Sequence, residues 1–256
     1  MLRDIFADFN VKVVMYLRRQ DLFIESIYTQ YVHEGGDLSF EEYSQGVSFG
    51  SDYNWQVLVD SYSEVFGKEN LLLKVFEKKQ FYNGDLVEDF FNTLGVGGVS
   101  GAVIQSKNVG YTRDVLELAR EAIRYLNIDQ KKRMRIALQE LSSRLGGRYV
   151  YFSAAKRQSI IDSYSESNAA VAEKYFGRRT LFDHALIECE EYKGLSVESA
   201  SRILLLLLND KEYRCDDSNI LRGVYAIERL VSRFFDILIG FPQYCVKSVI
   251  RRYYGF

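Results

Sequence analysis

The 256-residue chain is long enough for one large domain or two small ones, and its 47% hydrophobic content can bury a substantial core. A formal net charge of −2 excludes the global basic field that nucleic-acid binding uses, so we expect no nucleic-acid partner. The three cysteines are far apart and odd in number, which offers neither metal-ligand spacing nor a disulfide framework. We therefore expect a cytoplasmic protein without a bound metal, and no signal peptide at its N-terminus.

The first predicted unit is a strand followed by a helix. The run Val11–Tyr16 is largely apolar and rich in valine, which is typical of a buried strand. Phe23, Ile27 and Tyr31 then recur at i, i+4 and i+8, which is helical spacing. A strand joined to a helix in this way predicts an α/β fold.

Polar residues suited to phosphate lie where this strand ends. Ligands of open α/β sheets bind at the carboxyl ends of strands, and Arg18 occupies that position. Ser26 follows about two turns into the helix. A guanidinium and a hydroxyl beside a helix N-terminus predict a phosphate site. The alternative is structural: Arg18 caps the strand by pairing with Asp21 or Glu25, and Ser26 is solvated.

The rest of the chain predicts further strands and helices around a small sheet. The polar stretch 35–52 is predicted to be a loop, and Asn70–Glu77 is a second strand. We expect about three strands in all, mainly parallel. Helices are predicted over 53–66, with Gly67 as C-cap, over 85–94, over 115–126, and from a Ser153 cap towards residue 178.

The strand–helix unit resembles the segment of bacterial sulfotransferases that binds the 3′-phosphate of 3′-phosphoadenosine 5′-phosphosulfate (PAPS). The shared pattern is Tyr-Leu-Arg, seven residues, then Ser, although the family often has proline where this chain has Gln20. The pairs Phe66-Gly67, Phe76-Glu77 and Leu94-Gly95 follow in the family's order. The resemblance covers residues 1–182, which we take as a sulfotransferase-like domain, with residues 183–256 as a helical extension.

The resemblance implies a P-loop-type sulfotransferase fold and the transfer of a sulfuryl group from PAPS to a hydroxyl of a carbohydrate or similar acceptor. It implies that Arg18 and Ser26 bind the 3′-phosphate. Lys107 and Asn108 are further cofactor-binding candidates in a loop before the helix predicted over 115–126, with Gly110 where the family has serine. A solvated Lys107 is the alternative for that residue.

One part of the family pattern is missing from the sequence. The family's Gly-rich loop with Lys and Ser/Thr, which binds the 5′-phosphosulfate, does not occur. We therefore expect a fold truncated at its N-terminus and weak or absent activity for this chain alone. The alternatives are a nucleotide-binding module without catalysis and a helical protein-interaction module. No catalytic residue is assigned: His33 is the better base candidate, and the favoured interpretation of it is a surface histidine.

Two expectations concern partners. A sheet without its first strand exposes an edge, so we expect a helix, a partner or a second copy of the chain to cover it. In residues 183–256, basic side chains alternate with aromatic ones. That pattern suits peripheral contact with a membrane surface or a partner, and a packed amphipathic helix is its commoner explanation.

Overall fold

The computed structural model describes residues 8–46, 53–96, 110–147, 149–183, 187, 189–190 and 192–209. These residues are mostly helical and contain one small parallel sheet, so the predicted α/β class and parallel pairing are confirmed. The described part of the chain has two strands rather than about three. The helices are α1 (Gln20–His33), α2 (Phe40–Gly46), α3 (Trp55–Phe66), α4 (Leu86–Thr93), α5 (Arg113–Ile123), α6 (Ile128–Leu145), α7 (Ala154–Ser163), α8 (Ser165–Val171) and α9 (Val197–Asn209).

The sheet pairs β1 (Val13–Leu17) with β2 (Leu71–Val75), Val13 opposite Leu71 and Leu17 opposite Val75. The predicted first strand, Val11–Tyr16, therefore began two residues too early. The reason lies in the neighbouring strand, where residues 68–70 form a 3₁₀ turn and leave nothing to pair with Val11. Lys12 instead donates to Glu69 O (3.2 Å) and Asn70 Oδ1 (2.7 Å) across that turn.

Helix α3 shows how local sequence fixes an element beside the sheet. Its N-cap Asn54 accepts hydrogen bonds from the amides of Gln56 (3.0 Å) and Val57 (3.3 Å). It ends at Gly67, as predicted, where φ is +88° and a side chain would be strained. The buried residues of α3 join an apolar core formed by Leu17, Trp55, Val59, Leu71, Val75, Val171, Ala172, Leu181 and Phe182.

Two regions differ from their predicted structure. The stretch 35–52, predicted as a loop, contains α2, because Phe40 is buried and stacks on the ring of Tyr151 at 4.3 Å. The helix predicted after Ser153 is instead α7, α8 and a π-helical turn at Ala172–Phe176. The break falls at buried Tyr164, whose ψ of 8° departs from helical geometry. The Ser153 cap itself is confirmed, since its Oγ accepts from the Lys156 amide at 3.3 Å.

Contacts divide the chain into two compact units. The first comprises Met1–Tyr28, Phe40–Lys107 and Val150–Tyr192, and the second comprises Thr29–Ser39, Asn108–Tyr149 and Lys193–Phe256. The first holds the sheet, and the second is built on α5, α6 and α9. The sequence-based division after residue 182 stays a prediction. Each helix in the described ranges is too short or too polar to cross a lipid bilayer.

Candidate functional site

Arg18 lies at the carboxyl end of β1, directly before α1, as predicted. Its guanidinium carbon stands 5.3 Å from the centroid of the Phe76 ring, and the side chain is half-buried. Its carbonyl accepts a 2.8 Å hydrogen bond from Trp55 Nε1, which fixes the backbone at the strand end. Within the described ranges the guanidinium has no hydrogen-bond or ion-pair partner. Arg18 is therefore a fixed cation without a direct counter-ion.

The neighbouring arginine has the opposite environment. Arg19 is buried and binds Asp21 through two hydrogen bonds, Nε to Oδ1 at 2.7 Å and Nη2 to Oδ2 at 3.0 Å. Its Nη1 also donates to the carbonyl of Asp183 at 3.1 Å. The structural role that the sequence offered for Arg18, pairing with Asp21, therefore belongs to Arg19.

A fully buried arginine compensates the remaining negative charge in the first turns of α1. Arg157 Nη1 lies 2.6 Å from Asp21 Oδ2, and its Nη2 lies 2.6 Å from Glu25 Oε1. The same Glu25 oxygen accepts the amides of Tyr151 (2.6 Å) and Phe152 (2.9 Å). With Arg19, Asp21 and Glu25, Arg157 forms a network of two cations and two anions, and the ion pairs of both carboxylates are with Arg19 and Arg157 rather than with Arg18.

Burial and ion pairing act in opposite directions on the two carboxylates of this network. Burial raises the pKa of Asp21, but Arg19 and Arg157 outweigh it and hold the pKa below its ordinary value. For Glu25, burial dominates over Arg157 and the two backbone donors, so its pKa is raised. Burial also lowers the pKa of Arg18, partly opposed by the charges of Glu25 and Asp21. An arginine so perturbed remains a cation at neutral pH.

Gln20, which stands where the resembled family often has proline, is also fully buried. Its Nε2 donates to Asn168 Oδ1 (2.9 Å) and to the carbonyl of Tyr53 (3.3 Å). In return Asn168 Nδ2 donates to Gln20 Oε1 at 3.0 Å. This reciprocal amide pair ties the start of α1 to α8. It gives both side chains a structural partner.

Ser26 lies in the second turn of α1, again as predicted, and is half-buried. Its hydroxyl donates to the carbonyl of Phe23 at 2.7 Å, a hydrogen bond within its own helix. The contacts of the described residues do not join Ser26 to Arg18. To bind a phosphate, the hydroxyl would exchange this internal acceptor for a phosphate oxygen by rotating about χ1.

Aromatic rings surround the strand ends beneath Arg18. Tyr16 and Phe81 each contact Phe76 edge-to-face, with centroids 6.5 and 5.5 Å apart. Tyr16 Oη donates to Asp89 Oδ2 at 2.7 Å, and Asp89 Oδ1 lies 3.2 Å from Lys74 Nζ. Burial first, then the hydrogen bond to Asp89, raises the pKa of Tyr16 to about 12. These contacts orient Phe76, on whose face the Arg18 guanidinium lies.

Of the other candidate residues, Lys107 and Asn108 lie outside the described residues. His33 is half-buried near the end of α1, with its ring 4.8 Å from the Tyr111 ring. Burial and, second, the charge of Arg135 lower its pKa, and its Nε2 has no partner among the described residues. His33 belongs to the second unit and Arg18 to the first.

Sequence reasoning missed Arg157, although the pattern contains a signal for it. Arg157 precedes Ile160 by three positions and Tyr164 by seven, so it occupies the apolar face of the predicted helix. All three side chains are buried. A buried arginine requires carboxylate partners, and Asp21 and Glu25, one turn apart at the start of the predicted α1, were available.

Comparison with known proteins finds one distantly similar protein, which is itself uncharacterized. No protein family matches the chain, and no solved structure matches it. The chain is 25% identical over 186 residues to an uncharacterized protein of the archaeon Archaeoglobus fulgidus, covering 71% of this chain. The match spans 50% of that protein, so this chain corresponds to about half the length of the curated relative it matches.

Proposed function

We propose that the carboxyl end of β1 binds the 3′-phosphate of PAPS, or of the desulfated product 3′,5′-bisphosphoadenosine (PAP), in a sulfotransferase-like protein. The observation that carries the proposal is the contrast between two adjacent arginines. Arg19 is buried and paired with Asp21, whereas Arg18 is half-buried and has no hydrogen-bonding partner among the described residues. Arg18 is also the arginine that the resemblance assigns to the phosphate.

Electrostatics favour an anion at this position. Burial lowers the pKa of Arg18, which means that the guanidinium has lost hydration without gaining a direct counter-ion. A phosphate group would supply that counter-ion and accept two parallel hydrogen bonds from the planar fork. Ser26 and the start of α1 follow on the same strand–helix unit, and helix N-terminal amides attract phosphate.

The reaction we propose for the complete site is transfer of a sulfuryl group from PAPS to a hydroxyl, on a carbohydrate or similar acceptor. That reaction resembles in-line phosphoryl transfer and requires cations at the leaving group and a base at the acceptor. The printed sequence contains no Gly-x-x-Lys-Ser/Thr loop to hold the 5′-phosphosulfate. The first test of the proposal is therefore whether this chain binds PAP. A reducing cytosol remains the compartment we propose, from the cysteine pattern.

Isothermal titration calorimetry with PAP and with adenosine 5′-phosphate tests the proposal. The two nucleotides share adenine, ribose and the 5′-phosphate, and only PAP carries the 3′-phosphate that Arg18 is proposed to bind. We expect PAP to bind at least about tenfold more tightly, the equivalent of one charge-assisted hydrogen bond. Equal affinities, or no binding of PAP, would exclude the 3′-phosphate site.

Incubation with radiolabelled PAPS and a panel of saccharides then separates two forms of the proposal. Binding of PAP without sulfuryl transfer is the result we expect of this chain by itself, and it fits a nucleotide-binding module. Transfer of label to a saccharide would show that the chain provides the 5′-phosphosulfate contacts by residues outside the family pattern.

A further inference from the structure

A second cluster of cationic and hydroxyl side chains lies in the other compact unit, at the N-terminus of α5. A cavity of about 240 Å³ opens there between the starts of α5 and α9 and the end of α6. Its lining includes Thr112, Arg113, Gly147, Ser199 and Arg202. None of these residues belongs to the site around Arg18.

Thr112 contributes an unused hydrogen-bond donor to this cavity. It is the N-cap residue of α5 and only 4% exposed, yet its hydroxyl caps no amide of the helix. Its own amide donates to Ser142 Oγ at 2.6 Å, which fixes the residue in place. The hydroxyl has no partner among the described residues, although it lines the cavity. The Thr112 hydroxyl is therefore a hydrogen-bond donor that the described residues leave unused at the edge of the cavity.

The backbone of α5 adds donors at the same place. The first hydrogen bond of the helix runs from the Leu116 amide to the Thr112 carbonyl at 2.9 Å. The amides of Asp114 and Val115 precede that bond, and no backbone carbonyl among the described residues accepts from them. Val115 is completely buried and lines the cavity. Uncapped amides and the positive end of the helix dipole together attract an anion.

The charged side chains that line the cavity have a net positive charge. Arg113 and Arg202 contribute two cations, and Asp114 contributes one anion, whose Oδ1 lies 4.0 Å from Arg113 Nε. Gly147 closes the other side with φ at +136°, and a Cβ there would lie 3.2 Å from Thr112 Cγ2. The glycine thus lets the chain approach the unpartnered threonine closely.

We propose that this cavity binds the phosphate group of a small phosphorylated ligand. The uncapped amides of α5, the Thr112 hydroxyl and the Ser199 hydroxyl donate hydrogen bonds to its oxygens, and Arg113 and Arg202 balance its charge. The cavity is larger than a phosphate ion, so the ligand is a phosphomonoester whose remaining atoms occupy the rest of the space. The proposal does not depend on the function proposed for Arg18.

Titration of the ¹⁵N-labelled chain with inorganic phosphate, followed by NMR, tests the proposal. The titration is performed on the Arg18→Ala variant, so that failure or success of the 3′-phosphate site does not affect the result. We expect saturable shifts of the Asp114 and Val115 amide resonances. Phosphate that leaves these two resonances unmoved would overturn the proposal.

Two further substitutions in that background identify the residues. Arg202→Ala changes an exposed side chain, so the fold is retained, and we expect phosphate binding to weaken about tenfold. Thr112→Val removes the unpartnered hydroxyl and is expected to weaken binding similarly without lowering the melting temperature in phosphate-free buffer. Arg133→Ala, at an exposed arginine of α6, is the control that should change neither property. Unchanged phosphate affinity in both Arg202→Ala and Thr112→Val would contradict the proposal.

Discussion

Arg157 Nη1 lies 2.6 Å from Asp21 Oδ2, and neither side chain is exposed to solvent. This buried pair connects α7 to the first turn of α1, directly after the strand end that carries Arg18. Because Asp21 also binds Arg19, and Glu25 also binds Arg157, both acidic residues of this turn have cationic partners. Among the described residues at this strand end, Arg18 is the cation without an ion-pair partner, and we expect it to be available to an external anion.

Replacing Arg157 by methionine should destabilise the protein strongly. The substitution introduces an apolar, unbranched side chain in place of the guanidinium and leaves Glu25 buried without that partner. We expect the free energy of unfolding, measured by urea denaturation, to fall by about 3–5 kcal/mol at pH 7. The control is Lys79→Met, which removes an exposed pair with Asp183 and should have no measurable effect.

The same variant should show a pH dependence of defined sign. Burial already raises the pKa of Glu25, and loss of Arg157, which opposes that shift, should raise it further. A carboxylate with a raised folded-state pKa stabilises the fold below its unfolded pKa, and this stability is lost as the pH rises. The deficit of Arg157→Met relative to wild type should therefore be smaller at pH 5 than at pH 7. A deficit that grows on acidification would contradict this account of the network.

Replacing Asn168 by alanine tests whether this residue is structural or binds a ligand. The change removes the reciprocal amide pair and leaves buried Gln20 with the Tyr53 carbonyl alone. We expect a loss of about 1–3 kcal/mol in the free energy of unfolding and an unchanged affinity of the folded protein for PAP. An intact fold with PAP affinity lowered tenfold would instead assign Asn168 to the nucleotide.

Asp89 should make the fold sensitive to acid. Burial raises its pKa, but hydrogen bonds from Tyr16 and the Tyr82 amide, together with Lys74, outweigh burial and lower it. Its contribution is therefore present above the unfolded pKa of about 3.9 and is lost as the pH falls through the folded value. Asp89→Asn should be less stable than wild type at pH 7, and the gap should close as the pH falls below 4. A gap of constant size across that range would contradict this role.

Residue spacing and capping patterns in the sequence predicted the strand and helices beside Arg18. Valine content located β1, and helical spacing of Phe23 and Ile27 located α1, so the position of Arg18 at a strand end followed directly. The sequence also predicted the capping of α3 by Gly67 and of α7 by Ser153, because such caps depend only on residues that are neighbours in sequence.

Contacts between residues distant in sequence could not be predicted in the same way. The pairing of Asp21 with Arg157 joins positions 136 residues apart, and local spacing carries no information about it. The start of β1 depended on the turn before β2, which is also distant in sequence. Only the structure shows that Arg19 is buried in an ion pair, whereas its neighbour Arg18 is half-buried. Arg19→Ala is consequently unsuitable as a binding control, because it would disturb the fold.

Calorimetric titration of PAP into wild type, Arg18→Ala, Arg18→Lys and Arg133→Ala tests the central claim most directly. We expect Arg18→Ala to weaken PAP binding about ten- to a hundredfold, from roughly 1.5–3 kcal/mol per hydrogen bond to a charged group. The PAP affinity of Arg18→Lys should lie between those of wild type and Arg18→Ala, since lysine keeps the charge and loses the bidentate fork. Arg133→Ala should bind PAP like wild type. Absence of PAP binding by the wild type, or equal losses in Arg18→Ala and Arg133→Ala, would contradict the assignment of Arg18 to a 3′-phosphate.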